Sequence, residues 1–296
     1  MPELPEIANR AAEMRAELVG KTISGVEILQ PKMLNVSAES FAAGAVGGTI
    51  KEVTNRGKWI FTETTSGWLL INLGMGGEIR LVTRSTLPEK RRFILDFTDG
   101  TCLAINFWWF GHVHYVTPDR LQDHEMTCRL GPDIMHLSAQ DLRELTSRTR
   151  TAIKTFLLDQ ERAAGLGNAY THDVLFLARL HPLRPSSSLT DAEVEGLHQA
   201  IRRGLQPSID KGGAFYETGL HGQPGRFTMD DILVGYKEGK PCPLCGTPII
   251  KIKTGGTSSF ICPTCQPLEP LASAEITSLS WEASRTEPKA GRSVTG

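Results

Sequence analysis

Cys242-Pro243-Leu244-Cys245 is followed, after sixteen residues, by Cys262-Pro263-Thr264-Cys265. Two Cys-x-x-Cys pairs at this separation match the ligand spacing of a tetrahedral Cys₄ zinc site. Disulfides are the rival reading, but the two-residue gap within each pair and a reducing cytoplasm favour metal. Four sulfurs leave no open coordination position. One structural zinc ion is therefore expected, stapling a small β-hairpin and taking no part in catalysis. The hairpin tip, Lys251 to Ser259, is polar and glycine-rich after Lys253. Cys102 and Cys128 stand apart from the pairs and read as core thiols.

Upstream of the hairpin the pattern is helical. Ser138 with Asp141, and Thr190 with Glu193, have the spacing of capping boxes. Between them Gly165, Gly167 and Asn168 interrupt the pattern ahead of an apolar helix expected from Val174 to Leu180. This is a helix-turn-helix-like element, and its turn reads equally as a plain interhelical loop or as a phosphate-binding helix N-terminus. Leu130-Gly131-Pro132-Asp133 breaks both periodicities and marks a boundary. Before it, from Thr22 to about Tyr115, short β-rich runs recur: Val26-Leu29, Trp59-Thr62, Trp68-Asn72, Glu78-Val82, Phe93-Phe97 and Cys102-Ile105. Their spacing predicts a β-sandwich or barrel. Ahead of them Ile7, Ala11, Met14 and Leu18 recur at helical spacing, with Gly20 as the stop.

The resulting expectation is an α+β multidomain chain: 1–130 an N-terminal helix plus β-sandwich, 131–235 helical, 236–266 the zinc hairpin, and 267–296 a flexible tail poor in large apolar residues. The 296 residues, 40% hydrophobic, suffice for two ordinary cores. Early acids and the lack of an apolar run argue against a signal peptide, and nothing approaches the roughly 18 apolar residues of a membrane span, so the cytoplasm is expected. A net charge of −1 excludes a protein that coats polyanions indiscriminately, yet it allows a local basic groove.

Pro2 and Glu3 are ordinary first-turn chemistry for a helix. They have a second reading. Removal of Met1 would expose a secondary amine whose pKa, near the α-amino value of about 7.7–8.0, leaves roughly a tenth of it neutral at pH 7. Such an amine is a ready nucleophile for an aldehyde-like sugar carbon, with Glu3 and Glu6 as acid and base beside it.

Five motifs stand in one order: Pro2-Glu3-Leu4-Pro5-Glu6, Arg56-Gly57-Lys58, Leu73-Gly74-Met75, Gly165-Leu166-Gly167-Asn168, and the Cys₄ hairpin ending in Cys265-Gln266. Together they resemble the formamidopyrimidine-DNA glycosylase and endonuclease VIII family of bacterial base-excision repair enzymes, over roughly residues 1–266. The resemblance implies a β-sandwich preceded by a helix, a helix-two-turn-helix domain and a zinc-finger hairpin. It also implies a monomeric bifunctional DNA glycosylase and AP lyase that acts on damaged double-stranded DNA without a redox or nucleotide cofactor. By that likeness Pro2 is the Schiff-base nucleophile, Glu3 the general acid, Glu6 an active-site support, and Lys58 a phosphate contact aiding catalysis. Asn168 would clamp phosphate, and Met75 would fill the space left by an extruded nucleotide. Without the likeness, Lys58 reads as a strand-end charge and Met75 as core.

The chain departs from the family pattern at several places. The hairpin tip has Thr257 where an arginine is usual, so its grip on phosphate is weakened or supplied by Lys251 or Lys253. The usual Asp-Pro-Arg-Arg-Phe-Gly loop reads Asn106-Phe107-Trp108-Trp109-Phe110-Gly111. Trp108 and Trp109 would stack on an unpaired or enlarged base, although at least one of them is expected in the core. Glu89-Lys90-Arg91-Arg92 keeps a basic cluster but lacks the usual histidines. The glycine-rich stretch from Asp210 to Phe227 suits a mobile lid. The altered loops leave a second class open, a non-catalytic damaged-DNA-binding protein of the same fold.

Overall fold

A computed structural model describes residues 1–268, so most of the tail expected at 267–296 lies outside the described residues. Helix α1 (Leu4–Leu18) begins where Pro5 supplies a helix-ready φ and Glu3 and Glu6 form a reciprocal capping box. It buries Ile7, Ala11, Met14 and Leu18 and stops before Gly20, at φ 88°. The chain then forms β1 (Ile23–Ile28), α2 (Ala38–Ala45), β2 (Ile50–Arg56), β3 (Trp59–Thr64), β4 (Trp68–Asn72), β5 (Glu78–Thr83), β6 (Phe93–Phe97), β7 (Thr101–Asn106) and β8 (His112–Val116). Two antiparallel sheets result, ordered β1-β6-β7-β5 and β2-β3-β4-β8. Ile23, Phe93, Leu95 and Ile105 of one sheet share a core with Val53, Ile60, Leu69 and Ile71 of the other. Each side chain so buried contributes about 1.5–3 kcal/mol. The architecture is a sandwich, with the apolar face of α1 joining its core.

The α-helices α3 (Ala139–Ser147), α4 (Ile153–Leu158), α5 (Asn168–Leu177) and α6 (Asp191–Asp210) follow. The two expected capping boxes are present, Ser138–Asp141 on α3 and Thr190–Glu193 on α6. The apolar helix expected from Val174 starts six residues earlier, at Asn168, and ends at Leu177. A second core joins Leu142, Phe156, Val174, Leu197 and Ile201, and Leu4 of α1 enters it. The last unit is the hairpin β9 (Ile250–Thr254) and β10 (Thr257–Ile261). Its cysteines pack with Phe176 and Val234, and the buried Lys154 of α4 ties it down from below. The Lys154 ammonium donates to Thr254 Oγ1 (3.1 Å), Ser258 O (2.6 Å) and Ser259 Oγ (2.9 Å), and burial pushes its pKa down to about 8.

The sandwich and the helical unit interlock. Arg56 donates to the carbonyls of Leu130 and Gly131, Gly57 N to Asp133 Oδ2 (3.2 Å), and Leu4 N to Gly165 O (3.1 Å). On the outer face of the sandwich His112, His114 and His124 surround Trp59. Thr127 N donates to His124 Nδ1, which leaves His124 Nε2 to donate to His114 Nδ1 at 2.7 Å. Cys102 is buried as expected, but Cys128 is exposed, because it lies in the irregular segment after β8 rather than in a strand. Among the described residues no helix is long and apolar enough to cross a membrane.

Candidate active site and DNA-binding face

The first turn of α1, the β2–β3 turn and the N-terminus of α5 meet at one point. Pro2 and Glu3 are buried there. The Glu3 carboxylate accepts N–H groups from Gly167 (2.7 Å) and Ala169 (2.8 Å), at the positive end of α5. Burial raises the Glu3 pKa, while Lys58 and these N–H groups oppose the rise. Lys58 is half-buried beside it, and desolvation lowers its pKa against the pull of Glu3 and Glu6. Gly167 is where the three elements touch. A Cβ at that position would lie 2.3 Å from Glu3 Oε1 and 2.6 Å from Lys58 Nζ.

Glu6 is equally engaged. One oxygen accepts Glu3 N (2.9 Å), and the other accepts Tyr170 OH (2.5 Å) and Ala214 N (3.1 Å). Ser208 Oγ lies 2.6 Å from the same tyrosine hydroxyl. A third carboxylate, Glu217, stands 4.0 Å from the Met1 nitrogen. Burial and the charges of Glu6 and Glu3 push its pKa up to about 7, with the chain's amino group and Arg10 opposing.

The second cluster is apolar and exposed. Gly74, at φ 53°, turns the chain so that Met75 points outward, and Met75 pairs through its backbone with the 106–111 loop (Met75 N to Trp109 O 2.8 Å, Trp108 N to Met75 O 3.0 Å). Asn72 joins the clusters, donating to Lys58 O (3.2 Å) and accepting Gly74 N (2.9 Å). Neither tryptophan is in the core, contrary to the expectation for at least one: Trp108 is 63% and Trp109 64% exposed, and Phe110 is 72% exposed at φ 57°. Strand alternation does not apply there, since β7 ends at Asn106 and only Phe107 tucks inward. Met75, at 45% exposure, is not core either. Asn168 is the first residue of α5, half-buried beside Glu3's helix contacts. Lys253 and Lys251 are exposed on β9, and Thr257 opens β10.

The four paired cysteines converge. Their sulfurs all lie within 4.8 Å of one another, with Cys242–Cys265 at 3.9 Å, Cys245–Cys262 at 3.4 Å and Cys245–Cys265 at 3.5 Å. Tetrahedral zinc with Zn–S near 2.3 Å requires S···S of about 3.8 Å. Cys242, Cys245, Cys262 and Cys265 therefore fit one structural zinc ion. Sequence reasoning missed Asn72, Tyr170 and Ser208. Tyr170 was within reach, lying two residues beyond Asn168 on the same helix, whereas Ser208 sits on α6 and Asn72 at a strand end with no sequence signal.

Residues 1–107 match the family model of the formamidopyrimidine-DNA glycosylase N-terminal domain, and residues 130–218 that of its H2TH domain. Residues 239–268 match a zinc finger found in FPG and IleRS. The formamidopyrimidine-DNA glycosylase of Chloroflexus aurantiacus is 36% identical, over 90% of this chain and 98% of that protein. The Lactococcus lactis enzyme of the same name is 32% identical over 90% and 99%. The solved complex of wild-type Lactococcus lactis Fpg with DNA containing N7-benzyl-Fapy-dG covers 90% of this chain and 100% of its own, at 30% identity and a TM-score of 0.83. A complex of that protein with abasic-site DNA has a TM-score of 0.82 at 30% identity and the same coverage. With its sandwich, helical and zinc-finger regions each matched in order, the chain belongs to the formamidopyrimidine-DNA glycosylase family.

Proposed function

We propose that this protein is a DNA glycosylase of base-excision repair that is also an AP lyase, with Pro2 as the nucleophile once Met1 is removed. The observation that carries the reading is the buried Glu3 carboxyl, held by two N–H groups of α5 beside Lys58 and the start of the chain. In this reading the Pro2 nitrogen bonds to the sugar C1′ as the damaged base leaves with the bonding pair. Glu3, its pKa raised by burial, donates the proton that opens the sugar. The resulting iminium acidifies C2′–H, whose loss expels the 3′-phosphate and nicks the strand.

Glu6 supports the geometry through Tyr170 and Ala214. Lys58 and Asn168 bind phosphate, and exposed Lys253 adds a contact from the hairpin. Met75, Trp108 and Trp109 enter the duplex where the nucleotide is extruded, which offsets part of an unstacking cost of a few kcal/mol. The zinc ion shapes the hairpin and performs no chemistry.

Borohydride trapping on abasic-site DNA tests the reading. Protein beginning at Pro2 should form a covalent adduct, and Pro2→Gly should retain some reaction through its primary amine. An N-terminal extension that stays attached should abolish trapping. Equal trapping by the extended and mature proteins would rule out the N-terminal nucleophile, and tight binding to damaged DNA without any adduct would favour a binding protein instead.

A further inference from the structure

The glycine-rich stretch from Asp210 to Phe227 suits a mobile lid, yet its 214–223 segment is fastened at both ends to α1, which carries Glu6 in its first turn and is capped by Glu3. At its start Ala214 N donates to Glu6 Oε1 at 3.1 Å. At its far end Glu13 accepts Leu220 N (2.9 Å) at one carboxylate oxygen and Gln223 Nε2 (2.9 Å) at the other. Arg10, only 5% exposed, forks between Glu13 and the carbonyl of Thr218. One turn further along α1, Glu17 meets His221 at 3.2 Å. The spacing 10, 13, 17 puts these groups on one helical face. Leu220 is fully buried in the sandwich core, and its carbonyl accepts Leu81 N of β5 at 2.9 Å.

Between the two attachments lie Phe215, Tyr216 and Glu217. The rings of Phe215 and Tyr216 are exposed and in contact, with centroids 5.2 Å apart. Glu217 faces the chain's amino end. With Phe227, Met229, Ile232 and Tyr236, the two rings line a small cavity of about 40 Å³ that adjoins Tyr170, the partner of Glu6.

We propose that Arg10 and Glu13 are a positioning pair, a latch that keeps the 214–223 segment closed over the acidic site and so holds Phe215, Tyr216 and Glu217 where an extruded base would lie. The inference rests on the proposed glycosylase activity and adds how its base pocket is kept in shape. Glu13 receives two donors from the segment and a third from Arg10, and the charged acceptor makes each bond stronger than a neutral one. A segment ordered before DNA arrives need not lose its entropy on binding. Excision, which needs the base held, depends on the latch; reaction at an abasic site, which has no base, does not.

Glu13→Ala in the full chain tests this by two readouts. Hydrogen exchange should accelerate for the amides of 214–223, while the sandwich strands keep their protection. Excision from duplex DNA containing Fapy-dG should fall about 10- to 100-fold, the scale expected from misplacing groups around the reacting atoms. Borohydride trapping on the same duplex with an abasic site should match wild type. Glu13→Gln keeps the size and one acceptor oxygen but removes the charge and the second acceptor, and should show the same pattern in weaker form if Glu13→Ala folds poorly. Unchanged exchange in 214–223, or excision and trapping falling together, would overturn the latch. A wild-type protein that neither excises nor traps would instead overturn the glycosylase reading, with the exchange result still deciding the latch.

Discussion

Gly167→Ala is the smallest change that reaches the centre of the site. The backbone at Gly167 is extended, with φ −132°, so alanine meets no conformational strain and the whole effect comes from one methyl group. That methyl would sit 2.3 Å from Glu3 Oε1 and 2.6 Å from Lys58 Nζ, distances no Cβ can keep. The carboxylate must leave, and with it go the bonds from Gly167 N and Ala169 N. Hydrogen bonds to a charged group contribute about 1.5–3 kcal/mol each, and rehydration of the freed carboxylate returns part of this, so the loss should be about 3 kcal/mol. At about 2–4 °C per kcal/mol the melting temperature should fall by roughly 6–12 °C. Single-turnover base excision should fall about 10²- to 10⁴-fold, the usual value of a positioned acid. Gly196→Ala on α6 is the control, because a Cβ there meets nothing within 4 Å. A Gly167→Ala protein with wild-type excision and melting temperature would refute the Glu3 geometry and the role built on it.

Acid should destabilise the protein through its buried histidines. Burial depresses His114 and His172 from 6.5 to about 3, so the unfolded chain takes up protons first; stability is full above about pH 6.5 and declines as pH falls toward 3. Urea unfolding should lose up to about 1.4 kcal/mol per pH unit per histidine, and His114→Gln should flatten the slope between pH 6.5 and 5, whereas an unchanged slope would contradict the burial argument. One zinc per chain is expected, and Cys262→Ser should lose metal and DNA affinity while the sandwich stays folded; full metal content by atomic absorption would exclude the Cys₄ site. If Trp108 and Trp109 meet the orphaned base by stacking, lesions opposite A and opposite C should be processed at similar rates, since every base offers a π-face. Trp109→Arg should then introduce a preference among opposite bases without lowering the melting temperature, as Trp109 is 64% exposed; a strong wild-type preference would defeat the stacking idea.

What could be read from the chain was local. The cysteine spacing, the two capping boxes and strands such as Trp68–Asn72 and Phe93–Phe97 are set by neighbours a few residues apart, and each lies where the pattern put it. Strands β2 and β8 and helix α2 escaped. Lys51, Glu52, Thr54 and Asn55 dilute the apolar signal of β2, and α2 buries only Phe41 and Ala45, too short a stripe to show a period. Arg10 and Glu13 look like an ordinary solvated i, i+3 pair, because the groups that bury them come from about 200 residues downstream. Trp108 and Trp109 were misjudged for a related reason. A tight loop following a strand carries aromatic residues that only its backbone geometry can direct outward.

The contacts of Glu3 bear on how such proteins can be inherited in pieces. Its carboxylate is completed by amides 164 and 166 residues away, so neither the sandwich nor the helical unit owns the acid. A recombinant that took its helical unit from a relative would import half of that environment. If the incoming turn carried any side chain at the place of Gly167, the Glu3 carboxylate would be pushed from both amides. The join between the units is therefore a poor crossover point unless the stretch from Gly165 to Ala169 matches the first turn of α1, and the two should vary together among working hybrids.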